Sequence, residues 1–407
     1  MDEHSDHDLD ESTTTRRAVR FGWVSLFQDL GSKMVVPIVP LFLTLSLGAG
    51  PLVVGLVDGL ASAIVAVVAP VAGRATQTRA PLPLVRLGYG LSSVMKLALA
   101  AATSWGAVLG VRVLDRVGKG VRDAPRDVIL ASGPPATRGR TYGIQQAMDK
   151  AGGFLGPLAG LAIYELTDGS FRWVFAIASV PCLISVALLW GVPGVASRRP
   201  SPPAADATSS PSRSAGQRIA LTLLTLHTLT AVPVALIIVR ATDIGLGVGG
   251  VLVAFAGHRL ATALAAYPAG ALADRRSPAI SVALGIAIVA AGLGAAAADH
   301  AAGVWVALVA LGVGDALTRG PAKAWLVSLG PAEGRGAVLG DRAALSAVAG
   351  LAGGIVYGAL WEGAWWGDAP TTTSRGSLLV AAVVTVGIAV AVVRCSRHTT
   401  TTTTVTA

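Results

Sequence analysis

The stretch ISVALGIAIVAAGLGAAAA, at positions 280–298, decides the fold class of this chain because it contains no charged residue. A helix of about 20 predominantly apolar residues is long enough to cross the hydrocarbon core of a bilayer. Leu221–Val239 and Leu378–Val393 are further runs of this kind. Of all 407 residues, 53% are hydrophobic and 14% charged, and the mean hydropathy is +0.65, whereas about 25% of a soluble domain is charged. The sequence therefore predicts a polytopic all-α membrane protein.

Hydropathy divides the chain into twelve predicted transmembrane helices. The first six are 21–45, 52–75, 82–102, 105–131, 139–165 and 171–192. The second six are 218–241, 246–272, 278–298, 302–328, 335–361 and 376–394. We therefore expect a cytoplasmic N-terminal tail (1–20), a six-helix bundle (21–192), a Pro- and Ser-rich cytoplasmic linker (193–217), a second six-helix bundle (218–394) and a Thr-rich cytoplasmic tail (395–407).

Basic residues predict the orientation, since short cytoplasmic loops are enriched in Lys and Arg. The loops at 48–51, 103–105 and 299–303 contain neither residue type. The alternate loops contain Arg74, Arg79, Arg138, Arg140, Arg198, Arg199, Arg275, Arg276 and Arg335. Both termini lie on the basic side, so we expect a multi-pass protein of the cell (plasma or inner) membrane with both termini in the cytoplasm. The acidic start, 1–11, does not resemble a cleavable signal peptide, and the first span is interpreted as retained.

Composition and motifs also argue against a nucleic-acid-binding protein, a disulfide-stabilised or metal-binding protein and an enzyme. The net charge of +9 does not indicate nucleic-acid binding, because the basic residues recur at helix ends rather than in one domain. The two cysteines, Cys182 and Cys395, form neither a disulfide framework nor a metal-ligand pair. No nucleophile motif or zinc motif is present. We therefore expect no cofactor, no metal and no enzymatic activity.

The two halves form an internal repeat at a constant offset of about 197 positions. Arg122 corresponds to Arg319, and Glu165 corresponds to Glu362. The pairs Gly133-Pro134 and Arg138-Gly139 correspond to Gly330-Pro331 and Arg335-Gly336. Chance among the many glycines explains the glycine matches, but it does not explain Arg, Pro and Glu pairs in one register. The repeat predicts two six-helix bundles related by pseudo-two-fold symmetry about the membrane normal.

Ionisable residues recur inside the predicted spans. Each costs about 2.5–3.5 kcal/mol on a lipid-facing helix centre, so we expect them to face the bundle interior, a wet cavity or the interface. They form either a substrate and proton pathway or structural ion pairs. The candidates for the pathway are Asp29, Lys33, Asp58, Lys96, Arg112, Asp149, Arg240, Asp243 and Arg259.

The first span holds the leading candidate pair. Asp29 and Lys33 are four residues apart with the acid first, the favourable order on a helix. Gly31, Pro37 and Pro40 predict a kinked or broken helix, which is a common setting for a transporter site. Two further residues inside spans, His227 and His258, either relay protons or are simply hydrogen-bonded polar residues.

The segment RVLDRVGKGVRDAPRD, Arg112–Asp127, places its cations on one helical stripe. The stripe either forms ion pairs across a cytoplasmic gate or binds anionic lipid headgroups. The gating candidates are Asp115, Arg116, Lys119, Arg122, Arg126, Arg138, Arg319 and Arg335.

Two motifs resemble those of the major facilitator superfamily, and the resemblance covers essentially all twelve spans. The loop after the eighth span, Gly270-Ala-Leu-Ala-Asp274-Arg275-Arg276, resembles the family's signature Gly-x-x-x-Asp-Arg. The resemblance implies that this loop latches one conformation by an acid–base pair. In the first half, Gln77 stands where the acid belongs, so the first-half loop departs from the family's signature.

The fifth span resembles the antiporter motif of proton-coupled efflux members of that family. Its residues here are Gly143, Gly152, Gly156, Pro157 and Gly160, with Leu161 in place of the last glycine. In physical terms such glycines permit close helix packing, with or without an antiport role. Arg112 with Gly118 partly resembles the fourth-span motif whose arginine is linked to proton transfer, although Arg116 replaces an expected glycine.

These features predict a monomeric secondary transporter that works by alternating access and exports a small organic solute in exchange for protons. Asp29, Asp58 and Asp149 are the expected proton carriers. One alternative is proton-coupled uptake or exchange of an organic anion, held by Lys33, Lys96, Arg240 and Arg259. Another is a membrane protein that does not transport. The expected partners are the solute, protons and the lipid bilayer.

Overall fold

A computed structural model describes residues 3–131, 138–192, 213–331, 334–363 and 370–403, with side chains for 18–131, 141–192, 213–331, 334–363 and 373–396. Within these ranges the chain is helical, with no strand. The helices are α1 Glu3–Val35, α2 Ile38–Leu41, α3 Pro51–Ala75, α4 Pro81–Ala100, α5 Trp105–Ala131, α6 Arg138–Leu166, α7 Phe171–Trp190, α8 Ala215–Thr230, α9 Val234–Asp243, α10 Val248–Arg275, α11 Pro278–Ala296, α12 Ala301–Ser328, α13 Arg335–Trp361 and α14 Pro370–Thr403, and a π-helical turn at Phe42–Ser46 follows α2.

Two of the predicted spans are broken helices. The first span consists of α1, α2 and the π-helical turn, and the seventh consists of α8 and α9. Pro37 lies at the first break and Pro233 at the second, where a proline interrupts the backbone ladder. The predicted break near Pro37 is confirmed. With each broken helix counted as one span, the described residues form twelve helical spans, and the two breaks lie at matching positions of the repeat.

Nine segments in the described ranges are long and apolar enough to cross a membrane. The helices outside this set are α4, α5 and α6. α5 falls short of this apolar character because ionisable residues recur in it from Arg112 to Asp127. On the apolar helices, large side chains face outward, for example Leu264 and Val383, which are 69% and 72% exposed. Such exposure suits helices that are surrounded by lipid.

The helices form two compact units. Unit 1 comprises Met1–Phe42 and Ile64–Pro203, and unit 2 comprises Leu43–Ala63 and Ala204–Ala407. Predicted bundle boundaries place residues 43–63 in the first bundle, whereas in the structure this segment packs within unit 2. The chain thus enters unit 2 once before the linker.

Small residues explain why the first part of α3 packs in unit 2. Gly55 and Gly59 lie on one face of α3, and Gly354 and Gly358 lie on the facing side of α13. A Cβ atom at Gly358 would lie 2.7 Å from Cα of Leu52, so the two backbones are in direct contact, as small residues four apart permit in membranes. In addition, the backbone N–H of Leu52 donates a 3.1 Å hydrogen bond to Oε1 of Glu362, which satisfies a free donor of the first turn of α3.

Equivalent helix crossings in the two units support the repeat. In unit 1, a Cβ atom at Gly88 of α4 would lie 2.7 Å from Cβ of Arg122 on α5. In unit 2, a Cβ atom at Gly285 of α11 would lie 2.7 Å from Cβ of Leu317 on α12. Gly88 and Gly285 are separated by the offset that the sequence predicts.

The ends of the chain are more helical than the predicted tails suggest. α1 begins at Glu3, inside the tail predicted at 1–20, and α14 continues to Thr403, inside the tail predicted at 395–407. Within the linker predicted at 193–217, positions 193–212 lie outside the described residues, and α8 begins at Ala215. Ser214 caps α8, since its hydroxyl accepts the Gln217 N–H at 3.0 Å.

Candidate functional site

A crevice lined by charged side chains lies between α1, α4 and α5 of unit 1. Its volume is about 20 Å³, which is room for about one water molecule. The structure brings together in its lining many residues that the sequence marks as pathway or gating candidates. They are Asp29, Lys33, Lys96, Arg112, Asp115, Arg116, Lys119 and Arg122.

Asp115 is the centre of the ion pairs in this crevice. Its Oδ1 accepts a 3.2 Å hydrogen bond from Nζ of Lys96, and its Oδ2 lies 3.7 Å from Nη1 of Arg112. The side chains of Lys96 and Arg112 are only 4% and 5% exposed. Lys96 also donates to the carbonyl oxygen of Ser92 at 3.0 Å. One carboxylate thus neutralises part of the charge of two buried cations.

Arg122 lies seven residues after Asp115, about two turns further along α5, and is also buried, at 5% exposure. Its guanidinium carbon lies 4.4 Å from the ring centroid of Tyr89 on α4, within cation–π range. Its Nε lies 3.5 Å from Oδ1 of Asp123. The neighbouring Arg126 forms a closer pair with Asp127, at 3.0 Å. Arg122 is therefore oriented mainly by an aromatic face, and it lines the crevice.

Three glycines of the fifth-span motif lie along the contact between α6 and α1, which we call the α1–α6 seam (Gly152, Gly156 and Gly160 against 26–34 of α1 and Ile38 at the start of α2). A Cβ atom at Gly156 would lie 2.7 Å from the carbonyl oxygen of Leu30 and 2.7 Å from Cβ of Lys33. At Gly152 a Cβ atom would meet the carbonyl oxygen of Leu26. Gly143, in contrast, is exposed, and no atom of the described residues lies within 4 Å of such a Cβ. Pro157 is buried beside Gly156.

Polar contacts also hold α1 against its neighbours. Nε2 of Gln145 on α6 donates to Oγ of Ser25 on α1 at 3.0 Å, and on another side of α1, Oγ of Ser185 on α7 donates to Oε1 of Gln28 at 2.9 Å. Asp149 of α6 lies within electrostatic range of Asp29, Lys33, Lys119 and Arg126. The predicted proton carriers Asp29 and Asp149 are therefore neighbours in unit 1.

Unit 2 contains a larger cavity of about 300 Å³ beside the break between α8 and α9. Its polar lining includes Asp58, His227, His258, Asp315 and Arg319. Nη2 of Arg319 donates to Oδ2 of Asp315 at 2.8 Å, one turn apart on α12. Asp315 is also within electrostatic range of both histidines. Asp58, the third predicted proton carrier, is therefore in a different unit from Asp29 and Asp149.

His258 is a buried member of this lining, at 4% exposure. Its Nδ1 is 2.9 Å from the carbonyl oxygen of Leu308, so Nδ1 carries the proton of this contact and Nε2 is the remaining ring nitrogen. The hydroxyl of Thr262 donates to the His258 carbonyl at 2.9 Å. These contacts fix the ring at the cavity wall.

Three predicted pathway residues of unit 2 lie outside this cavity. Arg240 is fully buried in α9 and pairs with Asp299, which also pairs with Arg375. Its Nη1 donates to Oγ of Ser374 at 3.2 Å. Asp243 is exposed at the end of α9, and Arg259 is half-buried on α10. These residues remain predictions for the pathway, and the contacts of Arg240 are those of a structural ion pair.

The signature residues of unit 2 lie at helix ends. Gly270, Asp274 and Arg275 are in the last turns of α10, and the side chains of Asp274 and Arg275 are exposed. Arg335 is exposed at the start of α13. Arg138 begins α6, and its side chain lies outside the described residues. Asp274 and Arg275 are thus accessible at a helix end, and the latch implied by the resemblance remains a prediction.

The fold and the charged interior together define the class of a polytopic, all-helical membrane protein with ionisable sites inside its helix bundles. A family model described as Major Facilitator Superfamily matches residues 21–353. The chain belongs to the Major Facilitator Superfamily, and the predicted all-α fold of that family is confirmed.

Comparison with individual proteins agrees with this assignment. An uncharacterized MFS-type transporter of Methanocaldococcus jannaschii is 36% identical over 182 residues, and this match covers 44% of each chain. The chain thus spans less than half the length of that relative in the match. A bacterial homolog of the human lysosomal transporter Spinster is similar in structure, with a TM-score of 0.70, 16% identity and 95% and 97% of the two chains covered. The nucleoside transporter NupG has a TM-score of 0.74, 13% identity and 93% and 99% covered.

Proposed function

We propose that this protein is a secondary transporter that exports a small organic solute by alternating access, in exchange for protons. The observation that supports this function best is the group formed by Asp29, Lys33 and Asp149 at the α1–α6 seam, beside the crevice of unit 1. Ionisable groups inside membrane helices mark ion and substrate pathways. Here Asp29 and Lys33 lie in the first span, which is broken, as the binding helices of many transporters are.

The chemistry of this group supports proton coupling. Asp149 interacts electrostatically with both Asp29 and Lys33, so protonation of Asp149 changes the charge that these two groups experience. If solute binding prefers one protonation state, the free energies of the two binding events are coupled. Arg112 holds Asp115 in place beside this group. In unit 2, Asp58 lines a separate cavity with His227, His258 and Asp315, which offers a second place for a proton.

The same proposal includes the membrane arrangement. Both termini lie in the cytoplasm, the two six-helix bundles are joined by a cytoplasmic linker, and the protein is a monomer in the cell's inner membrane. The Lys and Arg distribution supports this orientation. Apolar side chains on the outer faces of the helices support contact with lipid.

Substitution of Asp29 by asparagine is expected to uncouple transport from the proton gradient. The purified protein is placed in liposomes with an acidic lumen, and solutes from a chemically diverse panel are added outside. An exported solute enters the lumen in exchange for protons, and a pH-sensitive dye reports the loss of luminal acid. We expect the proton-driven component of flux to fall at least about fivefold in Asp29→Asn, because coupling between sites is worth roughly 5–150-fold.

Glu165→Gln serves as the matched control, since Glu165 is an exposed acid at the end of α6 and lies outside the crevice lining. Its flux should equal that of the unmodified protein. Solute entry accompanied by luminal acidification would instead indicate uptake with protons. Proton-independent flux of every solute would show that the coupling is absent.

A further inference from the structure

The crevice of unit 1 carries a clear excess of positive charge. Its lining has six cations against two carboxylates, Asp29 and Asp115. Two further acids lie within electrostatic range of these cations, Asp123 and Asp149. Even when both are counted, the cations exceed the acids by two. Arg126 does not add to this excess, because it pairs with Asp127.

We propose that this crevice binds an oxyanion, so that the solute of this transporter carries a carboxylate or phosphate group. This inference rests on the proposed transport function and specifies its substrate class. Buried cations of like charge repel one another strongly where the dielectric is low. The attraction of a bound anion to these cations offsets their repulsion, and its oxygens replace the water that the cations have lost.

Arg122 is the residue best placed to recognise the anion. Its side chain is 95% buried, since 5% is exposed, and it lines the crevice. Its Nη1 is buried and has no hydrogen-bond partner in the described part of the chain. The Tyr89 ring, 4.4 Å from the guanidinium carbon, fixes the plane of the group. A planar guanidinium with a free donor suits carboxylate and phosphate oxygens, which accept two parallel hydrogen bonds.

Asp115 gives this site a way to open. In the present structure the crevice is narrow, and Lys96 and Arg112 are both directed at Asp115. An incoming oxyanion would take over one of these cations and leave Asp115 paired with the other. Ser92 supports the exchange, because its hydroxyl donates to the backbone carbonyl of Asp115 at 3.1 Å and its own carbonyl accepts from Lys96. The ion pair and the solute therefore compete for the same cations.

The same chemistry has a second source, since the cationic stripe of α5 also suits the phosphate of an anionic lipid. The two sources differ in access. A lipid headgroup reaches the stripe from the bilayer, whereas a solute reaches buried Arg122 through the crevice. The half-buried Lys119 and the buried Lys96 and Arg122 favour a small ligand in the interior. The proposal therefore commits to a soluble oxyanion.

A melting experiment on the full-length protein tests this proposal without any gradient. The protein is placed in nanodiscs of phosphatidylcholine alone and titrated with sodium phosphate or sodium succinate, with sodium chloride at equal ionic strength as reference. A ligand that binds the native state raises the Tm. We expect phosphate or succinate to raise the Tm above the chloride reference. Arg122→Gln should weaken the apparent affinity for these anions at least about tenfold, because it removes one charge-assisted hydrogen bond.

Two variants separate recognition from folding. Arg122→Lys keeps the charge and should retain part of the ligand-induced rise in Tm. If Arg122 had only a structural role, its substitution would change the Tm of the ligand-free protein but leave the ligand-induced rise unchanged. Arg218→Gln removes an exposed arginine of α8 and should respond as the unmodified protein does. An Arg122→Gln response equal to that of the unmodified protein would overturn the proposal.

The remaining outcomes distinguish this inference from the proposed function. Stabilisation by phosphatidylglycerol nanodiscs, with no effect of phosphate or succinate, assigns the cations to lipid and rejects the solute site. Stabilisation by cationic or neutral solutes alone also rejects it, while proton-driven flux of those solutes leaves the transport proposal standing. Anion stabilisation without proton-driven flux supports the site and rejects the coupling.

Discussion

Substitution of Arg240 by alanine is expected to lower the free energy of unfolding by about 3 kcal/mol, because it removes a large buried side chain and its hydrogen bonds. Arg240 is fully buried in α9. Its Nε donates to the carbonyl oxygen of Ala296 at 3.4 Å, and its Nη1 donates to Oγ of Ser374 at 3.2 Å. With its pair to Asp299, this one side chain links α9, the end of α11 and α14.

Most of the expected loss comes from packing and from the buried hydrogen bonds. Asp299 is 58% exposed, and water solvates a carboxylate that has lost an exposed partner. The measurement is the unfolding of the purified protein as a denaturing detergent is titrated into a mild one. Arg240→Met keeps most of the volume and should lose less stability than Arg240→Ala.

Arg375 offers a matched control for Arg240. It pairs with the same carboxylate, Nη1 to Oδ2 of Asp299 at 3.4 Å, but it is 57% exposed. An exposed ion pair is typically worth 0–1 kcal/mol, so Arg375→Ala should cost less than about 1 kcal/mol. Equal losses in the two alanine variants would contradict a structural role that depends on the burial of Arg240.

The helical architecture could be predicted from the sequence because lipid imposes it. Backbone groups of a single segment inside hydrocarbon are satisfied when the segment forms a helix. A long apolar run such as 280–298 is therefore expected to be helical, and α11 is found at Pro278–Ala296. The break at Pro37 was also predictable, since proline removes a backbone donor. The assignment of 43–63 to unit 2 was less accessible. It depends on Gly354 and Gly358 of α13. A pattern of glycines predicts that a helix packs closely against another, but it does not identify the other helix.

The candidate site was predictable in part for a similar reason. Sequence spacing identifies neighbours on one helix, such as Asp29 with Lys33 or Arg112 with Asp115. It does not identify partners on other helices. The sequence therefore did not reveal that Lys96 contacts Asp115. It also did not reveal that Tyr89, an uncharged residue, contacts Arg122. Arg240 and Asp243 show the converse case, because these neighbours in sequence differ in burial: Arg240 is buried and Asp243 is exposed.

Substitution of Gly156 by leucine is expected to abolish proton-driven transport. Even a Cβ atom there would lie 2.7 Å from the carbonyl oxygen of Leu30 and 2.7 Å from Cβ of Lys33, and a leucine is larger still. Because both facing atoms are close to the backbone of α1, α1 must move away from α6. Overpacking of this kind typically costs 1–3 kcal/mol, and here the displacement falls on the turn that carries Asp29 and Lys33. The liposome assay with the acidic lumen measures the loss.

Gly143→Leu on the same helix is the control that separates close packing from the mere presence of the motif. Gly143 belongs to the same glycine pattern, but it is exposed and the part of the chain that the structure describes places no atom within 4 Å of a Cβ there. A leucine at this position therefore meets no described neighbour at its Cβ, and leucine has a higher helix propensity than glycine. We expect Gly143→Leu to retain flux and Gly156→Leu to lose it, although both remove one motif glycine. If both variants lose flux equally while both stay folded, the motif acts through something other than the α1–α6 seam. If both variants retain flux, the position of Asp29 and Lys33 relative to α6 does not control transport. The proton pathway must then lie elsewhere, and the cavity around Asp58, His227 and Asp315 is the next site to test by substitution.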